Sequence, residues 1–195
     1  HHGALRAGET VLVHGGSSGI GLAAIQLIRH VGARSIVTVG NDDKARFCRA
    51  FGADHAINYR SEDFVARVRE FTGNAGVDVV LDMVGGSYVQ RNRQLLRKDG
   101  RLVFVAFLEG SKVDIDLMPV MIKRLVITGS TMRPRTIAEK TAIRDALRRE
   151  IWPAVSQGAI RTHVHARLPL ARACEAHRLM ASSAHIGKIV LSVRE

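Results

Sequence analysis

The chain has 195 residues, 46% hydrophobic and 24% charged, which fits a folded domain with a real core and excludes a disordered or low-complexity chain. Twenty-nine Lys and Arg against eighteen Asp and Glu give a formal charge of +11, a surface that attracts anions in general: nucleotides, nucleic acids, acidic partners. No apolar run is long enough to cross a bilayer, no signal peptide opens the chain, and Cys48 and Cys174 sit in no paired motif, so a reduced, cytoplasmic setting is the expectation.

Strands and helices alternate along the chain. Thr10-Val11-Leu12-Val13 is a short apolar strand that enters the glycine turn VHGGSSGIG. Ile20 to His30 follows as a helix apolar nearly all round, the mark of burial against a sheet. Ser35 to Val39 is a β-branched second strand, and Asn41-Asp42-Asp43 caps a helix over Lys44 to Phe51. His55 to Asn58 is a third strand, after which Ser61 is the expected cap of an amphipathic helix carrying Phe64, Val65, Val68 and Phe71. Val77 to Asp82, Arg101 to Phe107 and Leu125 to Thr128 read as strands four to six. Their unbroken apolar character suits a parallel sheet covered on both faces. The series predicts a doubly wound α/β fold of Rossmann type.

The tail differs in style. Thr136-Ile137-Ala138-Glu139 is a capping-box pattern for a helix reaching about Val155, with Pro153 stopping or kinking it. His163 and His165 alternate along a strand, a further helix covers Leu170 to Ser182, and Gly187 to Val193 is a terminal strand. The division expected is 1–135 for the dinucleotide-binding part and 136–195 for a C-terminal extension of helices and strand.

The glycine turn has two readings. Gly15-Gly16-Ser17-Ser18-Gly19-Ile20-Gly21 fits the Gly-x-x-x-Gly-x-Gly turn of short-chain dehydrogenases, and Gly16 to Gly21 fits a Gly-x-Gly-x-x-Gly dinucleotide turn with Ser18 at its second glycine. In both, small residues let the backbone approach a pyrophosphate at a helix N-terminus. Short-chain enzymes also need Tyr-x-x-x-Lys, in which the lysine lowers the tyrosine pKa. Four residues after Tyr59 stands Asp63, and four after Tyr88 stands Asn92, so that reading is rejected.

The segments AGETVLVHGGSSGIGLAAIQL (7–27), FGADHAINYRSEDF (51–64), GVDVVLDMVGG (76–86), RLVITGSTMRPR (124–135) and AHRLMASSAHIGKIVL (176–191) carry the other reading. They resemble the zinc-independent quinone oxidoreductases of the medium-chain dehydrogenase/reductase superfamily, in the branch that includes the p53-inducible quinone oxidoreductase. The resemblance runs the length of the chain. It implies that 1–135 binds NADP and that 136–195 belongs partly with a GroES-like catalytic domain, which the family carries before the position of His1.

The resemblance also implies site residues. Gly16, Ser17, Ser18, Gly19 and Ile20 form the pyrophosphate turn. At the end of the second strand, Gly40 and Asn41 stand where an NAD site has an acid. Lys44 and Tyr59 match positions around an adenosine 2′-phosphate, which makes NADPH the expected cofactor. Val84 and Gly85 fall near the ribose or nicotinamide, with Ala106 and Phe107 at the end of the fifth strand and Thr131 and Met132 on a further loop. For Phe107 and Met132 an ordinary core role is the competing reading.

No cluster of Cys, His or carboxylates predicts a metal site. No general acid or nucleophile stands out, which fits family chemistry that works by orienting a hydride donor against a quinone or related enone. The resemblance further implies a homodimer through the edge of the sixth strand, Leu125 to Gly129. The alternative is a stand-alone NADP-binding sensor or interaction module without turnover. Nucleic acid is the third class weighed. Arg91, Arg93, Arg97, Lys98 and Arg101 straddle one helix end while Arg144, Arg148 and Arg149 lie on another helix, and six Phe, two Tyr and one Trp leave few platforms for bases. A solvated basic face is the simpler account of that charge.

Overall fold

The computed structural model describes residues 2–193. Strands β1 (Thr10–His14), β2 (Arg34–Val39), β3 (His55–Asn58), β4 (Val77–Asp82), β5 (Leu96–Phe104) and β6 (Val126–Gly129) form a six-stranded sheet in the order β3-β2-β1-β4-β5-β6. Every pairing in it is parallel. The order reverses between β1 and β4, the doubly wound arrangement the alternation predicted, and a crevice opens there at the carboxyl ends of the strands.

Successive residues of β1 face opposite layers, as the two-residue period of a strand requires. Val11 and Val13 pack with Leu22, Ile25 and Ile28 of helix α1 (Gly19–His30) and with Ala45 and Cys48 of α2 (Asp42–Ala50). Leu12 turns to the other face, among Phe64, Val65 and Val68 of α3 (Phe64–Phe71) and Val89 and Leu95 of α4 (Tyr88–Leu95). A short helix, α5 (Met118–Ile122), which no sequence pattern announced, precedes β6.

Several boundaries differ from the sequence reading. The cap of α3 is Asp63, whose carboxylate accepts from Ala66 N at 2.8 Å; Ser61 instead sits in the preceding turn, with its N–H on Asn58 O. β5 covers Leu96–Phe104 rather than Arg101 to Phe107. Beyond Phe104 the chain bends over the β4 tip, where Leu108 N donates to Met83 O and Glu109 N to Val84 O, so Ala106 and Phe107 lie in a loop.

In the tail the expected single helix is two, α6 (Ile137–Glu150) and α7 (Trp152–Ser156). Pro153 stands in the first turn of α7, where its missing N–H has no helical partner to lose. The capping box of Thr136 and Glu139 is formed. Leu170–Arg172 is a 3₁₀ turn before α8 (Ala173–Ala181). The terminal strand β8 (Lys188–Ser192) pairs in parallel with β7 (Val164–Pro169), apart from the main sheet. This extension is tied back to the glycine turn, since Gly187 N donates to Ser17 O at 2.8 Å.

Candidate active site

A cleft of about 510 Å³ lies over the carboxyl ends of β2, β1 and β4. Its floor is the turn after β1. Gly15 has a φ of +70°, and a Cβ on Gly16 would sit 2.5 Å from Val37 Cβ, so the backbone passes β2 at a distance only glycine permits. Gly16 N donates to Thr38 O at 2.9 Å, which holds the turn to the β2 tip. Ser18 caps α1 by accepting from Gly21 N at 3.0 Å, leaving its hydroxyl proton free to donate to an anion at the helix N-terminus.

One end of the cleft is cationic. Asn41 caps α2 by accepting from Lys44 N at 2.8 Å, which sets Lys44 in the first turn beside the cleft. Burial holds the Lys44 ammonium below its ordinary pKa, and the nearby charge of Arg60 adds to the effect. Tyr59 and Arg60, following β3, line the same end, and a Cβ on Gly40 would lie 3.2 Å from the Tyr59 hydroxyl. His185 closes it from the extension, with a buried Nδ1 that has no hydrogen-bond partner among the described residues. Its pKa is lowered by burial; a hydrogen bond to the Leu179 backbone opposes this, and Lys44, His165 and Lys188 act with the burial.

The acids nearby are occupied elsewhere. Asp42 accepts from Asn58 Nδ2 at 2.8 Å, and Asp43 pairs with Arg46 at the surface. Neither lines the cleft. At the opposite end Glu109 does, accepting from Ser87 Oγ at 3.2 Å.

Beneath the floor runs a buried polar chain. His14, the last residue of β1, has Nδ1 2.9 Å from Thr38 Oγ1 and Nε2 2.7 Å from Asn92 Oδ1. Asn92 Nδ2 donates to Asp82 Oδ2 at 3.0 Å. The other oxygen of Asp82 accepts from Val84 N at 2.6 Å and Gly85 N at 3.2 Å. Burial pushes the His14 pKa down, and its ring is packed edge-on against Phe64 and Tyr88. Burial likewise raises the phenol of Tyr88 above its ordinary range, the opposite of an activated tyrosine.

Of the residues singled out in the sequence, Ser17, Ser18, Gly40, Asn41, Lys44, Tyr59 and Val84 line this one cleft. Gly16, Gly19 and Gly85 shape its turns from behind: a Cβ on Gly19 would meet the Lys188 side chain, and one on Gly85 the carbonyl of Gly110. Ile20 is exposed on α1. Ala106, Phe107, Thr131 and Met132 lie past the tips of β5 and β6, on the cleft side of the sheet but outside its lining. Phe107 and Met132 are about half exposed, at 47% and 51%, so the core reading of both is corrected.

The sequence reading missed Thr38, Arg60, Tyr88, Leu108 and Glu109, and with them Ser182 to His185, which form the outer wall. The last four stand inside a segment that carried the family resemblance, but no local pattern assigns them a role. Among the described residues no three His, Cys, Asp or Glu come together as a group that could hold a metal ion. Nor is any described helix long and apolar enough to cross a membrane.

A parallel doubly wound sheet with a glycine turn at its reversal point defines a dinucleotide-type crevice. The family described as zinc-binding dehydrogenase matches residues 19–148, and the chain belongs to that family, within the medium-chain dehydrogenase/reductases. It is 32% identical over 192 residues to the 2-haloacrylate reductase of a Burkholderia species, a match covering 96% of this chain and 56% of that reductase. The crystal structure of Escherichia coli quinone oxidoreductase complexed with NADPH superposes with a TM-score of 0.83 at 31% identity, over 96% of this chain and 58% of that one. That of an NAD-dependent alcohol dehydrogenase gives 0.84 at 34%, over 98% and 53%. The chain thus spans about half the length of the relatives it matches.

Proposed function

We propose that the chain is the cofactor-binding half of an NADPH-dependent oxidoreductase that passes hydride to quinones or related conjugated carbonyls. One observation carries this reading: Lys44, Tyr59, Arg60 and His185 converge at the β2 tip, while Gly40 and Asn41 stand where an NAD site needs a carboxylate. A ribose 2′-hydroxyl gives such a cluster nothing to neutralise. A 2′-phosphate does, through charge-assisted hydrogen bonds. The Tyr59 hydroxyl and the Arg60 guanidinium crowd the backbone at Gly40, which supports a phosphate group there.

The roles follow the strand order. Gly16, Ser17, Ser18, Gly19 and Ile20 form the pyrophosphate turn: Gly16 N and Ser18 N hold it to the carbonyls of Thr38 and Gly15, and the Ser18 hydroxyl and the N-terminus of α1 are what it offers the ligand. Gly40, Asn41, Lys44 and Tyr59 hold the 2′-phosphate. Val84 and Gly85 receive the nicotinamide side, with Ala106, Phe107, Thr131 and Met132 further along the strand tips. When bound, NADPH supplies the hydride; the residues here supply orientation and exclude water. The NADPH complex of the E. coli relative supports the choice of cofactor.

The same reading takes 1–135 as the NADP-binding domain and 136–195 as an extension shared with a catalytic domain. It sets the protein in the cytoplasm, in keeping with cysteines that are both free. It makes the unpaired edge of β6, where Val126 and Ile127 are exposed, the seam of a homodimer. Sedimentation that finds a monomer overturns that seam.

Side-by-side titration with NADPH and NADH, followed by nicotinamide fluorescence, tests the cofactor. NADPH is expected to bind at least about tenfold tighter, the value of one charge-assisted contact. Equal affinities, or tighter NADH, overturn the assignment. NADPH oxidation with a naphthoquinone then tests the acceptor class, and binding without turnover in any quinone or enone removes the proposed reaction from this chain.

A further inference from the structure

We infer that the buried chain Asp82–Asn92–His14–Thr38 is a positioning device that holds the β4–α4 turn, Val84–Gly85, at the height the nicotinamide half of the cofactor requires. The inference deepens the NADPH reading and rests on it.

The direction of every hydrogen bond in the chain follows from its last member. A carboxylate only accepts, so Asn92 faces Asp82 with its amide nitrogen and turns its carbonyl oxygen to His14. An amide oxygen also only accepts, so His14 carries its proton on Nε2. Nδ1 is then an acceptor, and the Thr38 hydroxyl donates to it at 2.9 Å. Four side chains from β2, β1, α4 and β4 are locked in one sense, all donors pointing towards Asp82. His14, Asn92 and Asp82 are each 0% exposed, so water competes at none of these links. The depressed pKa of His14 agrees with a neutral ring.

A carboxylate with no solvent exposure is costly unless its oxygens are filled. Here they are filled by Asn92 and by two successive backbone N–H groups of the turn. Gly85 and Gly86, at φ +70° and +48°, are in left-handed conformations, so the turn has few side-chain anchors of its own. The loop after β5 holds the turn through Val84 O and Gly86 N, and the carboxylate holds its two remaining N–H groups, those of Val84 and Gly85.

Position in the sheet says which part of the ligand this serves. Neighbouring strands lie about 4.8 Å apart. The cationic end of the cleft is over β2 and β3, the glycine turn over β1, and Val84 over β4. A dinucleotide with its 2′-phosphate on Lys44 and its pyrophosphate on the turn therefore reaches β4 with its other nucleoside. The buried chain acts on that half and leaves the adenosine end to Lys44 and its neighbours.

The test uses the whole chain and two probes, NADPH and adenosine 2′,5′-bisphosphate, which lacks the nicotinamide half. Asn92→Leu cuts the chain at its centre. It removes two links, to His14 and to Asp82, and we expect it to weaken NADPH by about tenfold or more, with the bisphosphate changed less than about threefold. The double exchange Asp82→Asn with Asn92→Asp restores every link with the central pair reversed: the new amide donates to the new carboxylate, its oxygen still accepts from Val84 and Gly85, and position 92 still accepts from His14. It should return NADPH affinity to within about threefold of wild type.

Parallel loss of both probes, or no loss in folded Asn92→Leu, overturns the inference. If Asn92→Leu does not fold, the double exchange decides; if that also fails to fold or to bind NADPH, the chain is a stability element and not a positioning one. A wild-type protein that binds neither probe overturns the NADPH reading together with this one, whereas a wild type that binds both and variants that lose both alike overturn this one alone.

Discussion

Lys44 donates its ammonium to the backbone carbonyl of Ser183, a residue 139 positions further along the chain. The contact draws the loop after α8 over the mouth of the cleft and brings His185 beside the proposed phosphate end. Lys44 is therefore shared between the extension and the ligand that the cleft would hold.

Lys44→Ala is expected to reduce the ratio of NADH to NADPH dissociation constants by roughly 10- to 100-fold, since a hydrogen bond to a charged group contributes about 1.5–3 kcal/mol. Most of the loss should fall on NADPH, with NADH affinity nearly constant. Paired titrations of the two cofactors check this. An equal loss for both would assign Lys44 to holding the extension in place rather than to the 2′-phosphate.

The glycines of the turn should not respond alike. A Cβ on Gly21 would lie 2.3 Å from the carbonyl oxygen of Gly15, a backbone atom that cannot step aside. Gly21→Ala is expected to cost about 1–3 kcal/mol of stability and to weaken any dinucleotide, because α1 must move off the turn. On Gly19 the added carbon meets only the far end of the Lys188 side chain, which can swing away. Gly19→Ala should therefore unfold near the wild-type midpoint, and thermal denaturation of the pair would show the contrast.

His14 should make the protein sensitive to acid. Its folded pKa lies below the ordinary value of 6.5, chiefly through burial, with Arg91 acting the same way and Asn92 and Asp82 opposing. Thr38, Phe64 and Tyr88 complete its surroundings and carry no charge there. The unfolded chain thus binds the proton first. The contribution of His14 to stability is complete above about pH 6.5 and declines as pH falls from there towards the depressed folded value. Urea unfolding between pH 5 and pH 8 should show this slope. His14→Gln should flatten it in part, since His185 shifts in the same direction.

The two thiols should react very differently. Burial between α2 and the sheet pushes Cys48 up to about 12, so almost none of it is thiolate at neutral pH. Cys174 is exposed on α8. Iodoacetamide should modify Cys174 readily in the native protein and reach Cys48 only in denaturant, as peptide mass mapping would reveal. Rapid native labelling of Cys48 would mean that α2 opens locally.

Much of the fold was legible because its signals are local. Apolar runs of β-branched residues between helical periods gave all six strands of the main sheet, and the Asn41 and Thr136 caps were correct because the acceptor and the N–H it binds lie within one turn. Boundaries failed where two local signals competed. Ser61 and Asp63 are both good caps, and the place where Asn58 turns the chain chose between them. The run through Phe107 is apolar to its end, but β5 stops at Phe104 because the next residues bond to the tip of β4 instead.

By itself the sequence determined the parallel sheet, the glycine turn at the head of α1 and the absence of an acid at the end of β2, because each is written within a few residues by backbone sterics, strand periodicity or charge. Only the tertiary structure decided which residues complete the cleft. Arg60, Ser183 and His185 meet Lys44, and His14 meets Asn92 and Asp82, through side chains brought together by the crossing of β2, β1 and β4 and by the return of the extension. A hydrogen bond spanning 78 or 139 residues imposes no pattern on the residues beside it, so it becomes visible only when the chain is folded.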